Sequence, residues 1–424
     1  MLGCRALLQR HASDIQRHRL SYFWRTNMSY SSAPGVHQTR IVGELWNNRS
    51  VGQKRSGLPG SVERSEVRIN YPFSSDAALK DSYINAFGSI RLGRVLEDLD
   101  ALAGNVAFAH CEPPAEDQGA DAPPYHIVTA SVDRIQVLSL PCVDDDMELS
   151  GRVNWVGRSS LEIGMQVTSK AADVPWLEAN FTFVALRDGR AASITPLRPT
   201  NPAEHARFNA GATRAAAKKA LRRQQQQQQQ QADASTTPHS AGTVQLDTAW
   251  LLERGRAMQM LPSLGGVDCV LMRDTGLSNC LIAQPQQRNT AGRVFGGFLM
   301  RRAFELAFAT AYIFAGAAPQ RCAEVDEVSF KMPVDLGNLV RFESTVLYSL
   351  SGTEPAHAEE PQVHVEVNAH VVDVHSRSTK LANVFAFTFV AQPGTKLRTV
   401  LPVTDEEAER IRLRVLSNNT QELL

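Results

Sequence analysis

Phe181-Thr182-Phe183-Val184-Ala185 recurs letter for letter as Phe387-Thr388-Phe389-Val390-Ala391, an offset of 206. Repetition at a fixed distance is tested before any other reading, because it changes the whole fold. Two further landmarks keep the same order. Gly93, which opens a helical pattern, is matched at an offset of 204 by Gly297. Between these anchors each half carries a strand start of one form, Val132-Asp133-Arg134-Ile135 and Val325-Asp326-Glu327-Val328. The chain reads as a tandem duplication of one fold.

Each unit reads as one long helix followed by several strands. Leu92, Val95, Leu96, Leu99, Leu102, Ala103 and Val106 fall at helical spacing and form an apolar stripe. Its counterpart is Leu299, Ala303, Ala307 and Ala311, with Leu306 and Thr310 alongside, small residues that let a sheet wrap closely around a helix. β-rich runs follow at 127–140, 150–157, 160–167 and 179–186, and again at 324–334, 339–349, 362–374 and 380–391. Hairpin-length gaps favour an antiparallel sheet. The expectation is an α+β chain of tandem hotdog folds, each a long helix wrapped by an antiparallel sheet, paired within one chain.

The flanks read differently. Residues 1–25 carry five arginines against one acid, Asp14, with leucines spaced among them, the composition of a mitochondrial transit peptide; a disordered basic tail is the plainer alternative. A mitochondrial location, in the matrix, is the expectation. Residues 1–65 together read as transit peptide and disordered N-terminus, 66–200 as the first hotdog domain, 201–249 as a Gln-rich linker, 250–395 as the second domain and 396–424 as a C-terminal tail. Within the linker, Arg214, Lys218, Lys219, Arg222 and Arg223 read as a solvated helix face before the glutamines 224–231.

Composition excludes several classes. Lys plus Arg and Asp plus Glu are both 44, which argues against coating nucleic acid or an anionic membrane. No run of about 18 apolar residues suggests a transmembrane segment. The six scattered cysteines form no CxxC pair and read as reduced, mostly buried thiols, and no clustered spacing suggests a metal or a bound cofactor. No Walker loop or GxGxxG follows a strand.

The stretches Ile90–Asp100, Gly151–Gly157, Arg288-Asn289 and Phe295–Arg301 resemble the acyl-coenzyme A thioesterases with two hotdog domains, most closely a mitochondrial subgroup named after acyl-CoA thioesterase 9. The likeness covers roughly 75–200 and 250–395. It implies hydrolysis of an acyl-CoA to a free fatty acid and coenzyme A, with an Asn eight positions before the key glycine of one unit and an acid seven positions after that of the other. Asn289 and Asp100 meet that pattern. Asn85 also stands eight before Gly93, but Phe304 occupies the acid position, with Glu305 one step on. One residue rotates a helical side chain by about 100°, so Asn85 with Glu305 is an out-of-register half-site. One competent centre per pair of units is expected, with a homo-oligomer of such chains as the family-based assembly.

The chemistry suits these residues independently. A thioester carbonyl needs a nucleophile and a donor for the developing oxyanion. Asp100 can activate water or attack directly. Backbone amides near Gly296 and Gly297, at a helix N-terminus, favour negative charge, and glycine admits the substrate closely. Asn289 can hold water or the carbonyl oxygen, or serve only as a turn residue. Glu97 and Asp98 read as solvated neighbours of Asp100, Glu305 as structural, and His110 with Cys111 as core and cap. Arg288, Arg293 and Arg301 are candidates for coenzyme A phosphates or ordinary surface residues. A hydroxyacyl-thioester dehydratase would place a His where Asn289 or Asn85 stands, and a non-catalytic acyl-CoA-binding protein is the remaining alternative.

Overall fold

In the computed structural model, residues 41–43, 45, 58–111, 126–230, 246–289, 292–351 and 360–421 are described, apart from 188, 265 and 327. The N-terminal basic segment, Cys4, Gln231 and the Ser/Thr/Pro stretch after it, and Glu327 lie outside the described residues. No helix among the described residues is long and apolar enough to cross a membrane.

Two helices of the same length form the centre, α1 (Leu92–Cys111) and, after the middle helix α2 (Pro202–Gln230), α3 (Gly296–Ala315); α4 (Asp405–Gln421) closes the chain. The first unit contributes β1 (Val67–Tyr71), β2 (His126–Val137), β3 (Met147–Val156), β4 (Ser160–Ser169), β5 (Val174–Arg187) and the short β6 (Arg190–Ala191). The second contributes β7 (Cys269–Leu271), β8 (Leu277–Ile282), β9 (Arg321–Val325), β10 (Val328–Phe330), β11 (Leu339–Leu350), β12 (Gln362–Asp373), β13 (Ser378–Val390) and β14 (Thr399–Leu401). One sheet runs β1-β3-β4-β5-β2-β10-β13-β12-β11-β8, and every pairing along this path is antiparallel. The units join edge to edge, Val132 opposite Val328 and Ile135 opposite Val325, so neither central edge is left unpaired. Each unit is an antiparallel sheet wrapped around its helix, the hotdog arrangement.

The repeated pentapeptide explains the layering. Strand alternation sends Phe181 and Phe183, and Phe387 and Phe389, into the core, where none is more than 3% exposed. Thr182 and Thr388 face the opposite side. Thr182 donates to Asp133 at 3.0 Å, and Arg414 of α4 donates to Thr388 at 3.2 Å. Lys218 of α2 pairs with Asp133, and Arg414 pairs with Asp326. One turn earlier on each helix, Arg214 pairs with Glu162 at 2.6 Å and Arg410 with Glu366 at 2.7 Å. Helices α2 and α4 thus occupy the same place in the two repeats, each laying a pair of cations on buried acids of the outer sheet face.

This overturns the solvated reading of Arg214 and Lys218, while Lys219 is exposed as expected and the side chains of Arg222 and Arg223 lie outside the described ones. Arg214 and Lys218 are only 26% and 27% exposed at the side chain, because Glu162 and Asp133, at 3% and 7%, need a counter-charge once the helix covers them. The Val-Asp-x landmark also differs from its expected place. Val132–Ile135 lies inside β2 at a register shift, and Val325–Val328 spans the break between β9 and β10. The shift turns Asp133 outward, where Ser131 and Thr182 donate to it.

Candidate functional site

Helix α3 begins without a cap of its own. Phe295 precedes its first turn and offers no side-chain acceptor, so the leading N–H groups look elsewhere. The Gly297 amide donates to Asp100 Oδ2 at 2.6 Å. The acceptor comes from α1, 197 residues away in sequence, so the first unit caps the helix of the second. Thr129 of β2 donates its hydroxyl to the other carboxylate oxygen at 3.2 Å. A Cβ on Gly296 would stand 3.1 Å from Asp100 Oδ2, and one on Gly297 would stand 3.0 Å from both Glu97 Cα and its carbonyl. Glycine is what lets the two helices cross here.

Two effects compete over the Asp100 proton. Donors at Gly297 and Thr129, and the positive end of α3, favour the carboxylate. Burial opposes them, since Asp100 is 4% exposed, and Glu97 adds like charge. Burial wins, and the carboxyl is pushed up to about 6. Such a group is ionised near neutral pH yet basic enough to take a proton, the range general-base catalysis asks for.

Asn289 and Asn85 sit in twin turns leading into the two helices. Asn289 Oδ1 accepts from the Arg293 amide at 3.0 Å, while Asn85 Oδ1 accepts from the Phe87 and Ser89 amides at 2.9 and 3.0 Å. In both turns the backbone N–H of the Asn donates to the residue four on, and its carbonyl accepts from the glycine three on. Those glycines, Gly292 and Gly88, have φ of +79° and +75°, where a side chain would be strained. With its oxygen engaged by the turn, the group Asn289 presents is the amide N–H.

The other half keeps Asn85 and Gly93 but differs at the positions of Asp100, Gly296 and Thr129. Phe304 stands where symmetry would put the acid; its ring carbon lies 3.3 Å from where a Cβ on Gly93 would be, and it packs against Phe387 and Phe389. Leu92 replaces Gly296. Cys322, opposite Phe389, replaces Thr129, which belongs to the same pairing as Phe183, and burial pushes its thiol up to about 12. Glu305 is held by Arg91 at 2.6 Å and Arg302 at 3.0 Å.

Three expectations change. Glu97 and Asp98 are buried, at 1% and 0%, because α3 packs on Glu97 while Tyr71 and Tyr83 of the first unit cover Asp98. Glu97 pairs with Arg301 at 2.6 Å, and Tyr71 and Tyr83 both donate to Asp98. Arg301 is therefore spent on Glu97 and is 12% exposed at the side chain, which removes it from the candidates for coenzyme A phosphates. Cys142 and Cys280 are exposed, whereas Cys111 and Cys322 are buried, and none of the described cysteines is in a disulfide. His110 is buried, its Nε2 2.8 Å from the Thr195 carbonyl. Thr129 is the residue that sequence spacing missed: its strand is set by pairing with β5, and no fixed distance from Asp100 marks it. Among the described residues no group of three His, Cys, Asp or Glu is placed to hold a metal.

No family model matches the chain. Individual relatives do. The chain is 38% identical to acyl-coenzyme A thioesterase 2, chloroplastic, of Humulus lupulus, over 90% of this chain and 89% of that one. It is 39% identical to the mitochondrial acyl-coenzyme A thioesterase 4 of the same plant, over 90% and 74%. It is 32% identical to the human mitochondrial acyl-coenzyme A thioesterase 9, over 84% and 78%. Among solved structures, a Staphylococcus aureus acyl-CoA hydrolase determined with butyryl coenzyme A and coenzyme A is 26% identical, covering 37% of this chain and 98% of its own, at a TM-score of 0.29. With relatives at this identity over most of both chains, the duplicated protein belongs to the acyl-coenzyme A thioesterases.

Proposed function

We propose that this chain hydrolyses acyl-coenzyme A thioesters at one centre, formed where Asp100 of the first unit meets the N-terminus of α3 in the second. The observation that carries the reading is the buried Asp100 carboxylate, within hydrogen-bond reach of both Thr129 and the Gly297 amide. Ionised Asp100 takes a proton from water as that water attacks the thioester carbonyl carbon. The carbonyl oxygen becomes an oxyanion, which the Gly296 amide at the positive end of α3 and the Asn289 side-chain N–H stabilise, while the Gly297 amide stays on Asp100. Collapse breaks the carbon–sulfur bond. The proton held by Asp100 passes to the coenzyme A sulfur, and a free acid remains.

The second half-site contributes no chemistry in this reading. Leu92, Phe304 and Cys322 fill it with apolar groups, and the Arg91–Glu305 ion pair ties its two helices together. A dehydratase would want an imidazole beside the carboxylate, but the donors to Asp100 are a hydroxyl and an amide. The relatives' chloroplastic and mitochondrial names support an organellar location, and the basic N-terminus favours the mitochondrion, in the matrix. A homo-oligomer of such chains is the proposed assembly, to be measured by sedimentation.

The test is thiol release from acyl-CoAs of graded chain length, comparing the full chain with Asp100→Asn. Loss of hydrolysis with the fold intact supports the reading. Turnover by Asp100→Asn at the parental rate, or no thiol release by the parent from any acyl-CoA, overturns it.

A further inference from the structure

Gly104 has no evident structural reason to be glycine. From Val95 to Cys111 every residue of α1 is buried except this one, which is half-exposed. Its φ is not positive, and a Cβ built there meets nothing within 4 Å among the described residues. Glycine in mid-helix is destabilising against alanine. Neither a turn, nor a close approach, nor helix propensity accounts for it.

The repeat supplies the comparison. At an offset of 204, Gly104 corresponds to Phe308. That ring sits 6.3 Å from Phe304, 6.0 Å from Phe389 and 5.8 Å from Phe87, so the second unit fills the space that the first leaves open. Asp100, Gly104 and Phe108 recur every four residues and share one side of α1, each about 6 Å beyond the last. The opening therefore begins one turn past the carboxylate and ends on a buried ring. Its neighbours Ala101 and Ala107 are apolar and small. Charge gathers at the other end of the helix, where Arg91, Arg94 and Arg302 outnumber Glu305, Arg301 being held by Glu97.

We infer that the acyl chain of the substrate runs along α1 through the opening at Gly104 towards Phe108, and that the missing side chain at 104 sets which acyl chains are accepted. The apolar arm of the thioester lies on the apolar side, and the phosphate-bearing arm is left to the cationic end. This inference rests on the placement of the thioester at Asp100.

Gly104→Ala, Gly104→Leu and Gly104→Phe in the full chain test it. Thiol release is measured with acetyl-, butyryl-, octanoyl- and palmitoyl-CoA, and affinity with S-alkyl coenzyme A thioethers of matching lengths. With Gly104→Phe, kcat/KM for acetyl-CoA stays within about twofold, while octanoyl- and palmitoyl-CoA fall at least about tenfold, since a single methylene misfit is worth roughly 10–200-fold. Gly104→Leu falls between, and covers the case in which the Phe variant does not fold. Gly104→Ala melts no lower than the parent. Unchanged length profiles in the Leu and Phe variants overturn the inference. So does an equal loss at every length together with weaker binding of coenzyme A itself, which assigns the opening to the pantetheine arm. Asp100→Asn run alongside separates the two readings: if it turns over normally the catalytic assignment fails, while the thioether affinities still decide Gly104.

Discussion

Removing the charge at Asp100 should stabilise the protein while silencing it, and the gain should depend on pH in one direction. Folding moves this carboxyl from 3.8 up to about 6 because burial disfavours its charged form. At about 1.36 kcal/mol per unit, that gap of about two units is worth roughly 3 kcal/mol. The folded state holds the proton more tightly than the unfolded one between about pH 4 and 6, so stability falls as pH rises through that window. The favourable contribution is complete below pH 4, where both states are protonated, and is gone above about pH 6, where both are ionised. Asparagine keeps the shape and never ionises. Denaturant unfolding of the parent and Asp100→Asn from pH 4 to 8 gives the difference directly. It should climb by roughly 3 kcal/mol in favour of Asn between pH 4 and 6 and then level, whatever its offset from the changed hydrogen bonds. Parental kcat/KM should rise about tenfold per pH unit below 6 and level above it, because the base must be ionised. A stability difference independent of pH, or one that climbs in favour of Asp, refutes the reasoning.

Thr129→Ala removes a bond that favours the carboxylate, so the kinetic midpoint should move above its parental value near pH 6, as read from the pH profile. Arg301→Met leaves Glu97 buried without its partner and should cost about 3–5 kcal/mol in unfolding free energy, part of it recovered by adding Glu97→Gln. Phe304→Asp restores an acid to the second half-site but not Gly296 or Thr129 equivalents, so active-site titration should still count one centre per chain.

The duplication was legible in the letters themselves. Phe-Thr-Phe alternation works in any strand that separates a core from a covered outer face, and the twin Asn turns before Gly93 and Gly297 preserve the same spacing because a positive-φ glycine fixes the backbone. Family membership followed from the same stretches. Asp100 and Asn289 were named through the family resemblance, each by its distance from the glycine of its own unit.

The chemical state of that pair was a different matter. Burial is a property of the packing: a helix read alone gives Glu97, Asp98 and Asp100 to water, whereas Tyr71 and Tyr83 cover Asp98, and the crossing of α1 with α3 removes the solvent from Glu97 and Asp100 and sets a carboxylate near 6. Thr129 reaches Asp100 through strand pairing, which has no fixed sequence interval. Helices α2 and α4 looked like linker and tail because their few paired cations are spaced one turn apart amid polar sequence, and the acids that hold them lie on or between strands. Sequence determined the repeated local units and, through the family resemblance, the candidate site residues. Tertiary structure decided their protonation, their donors and the opening beside them, because those depend on which surfaces exclude water.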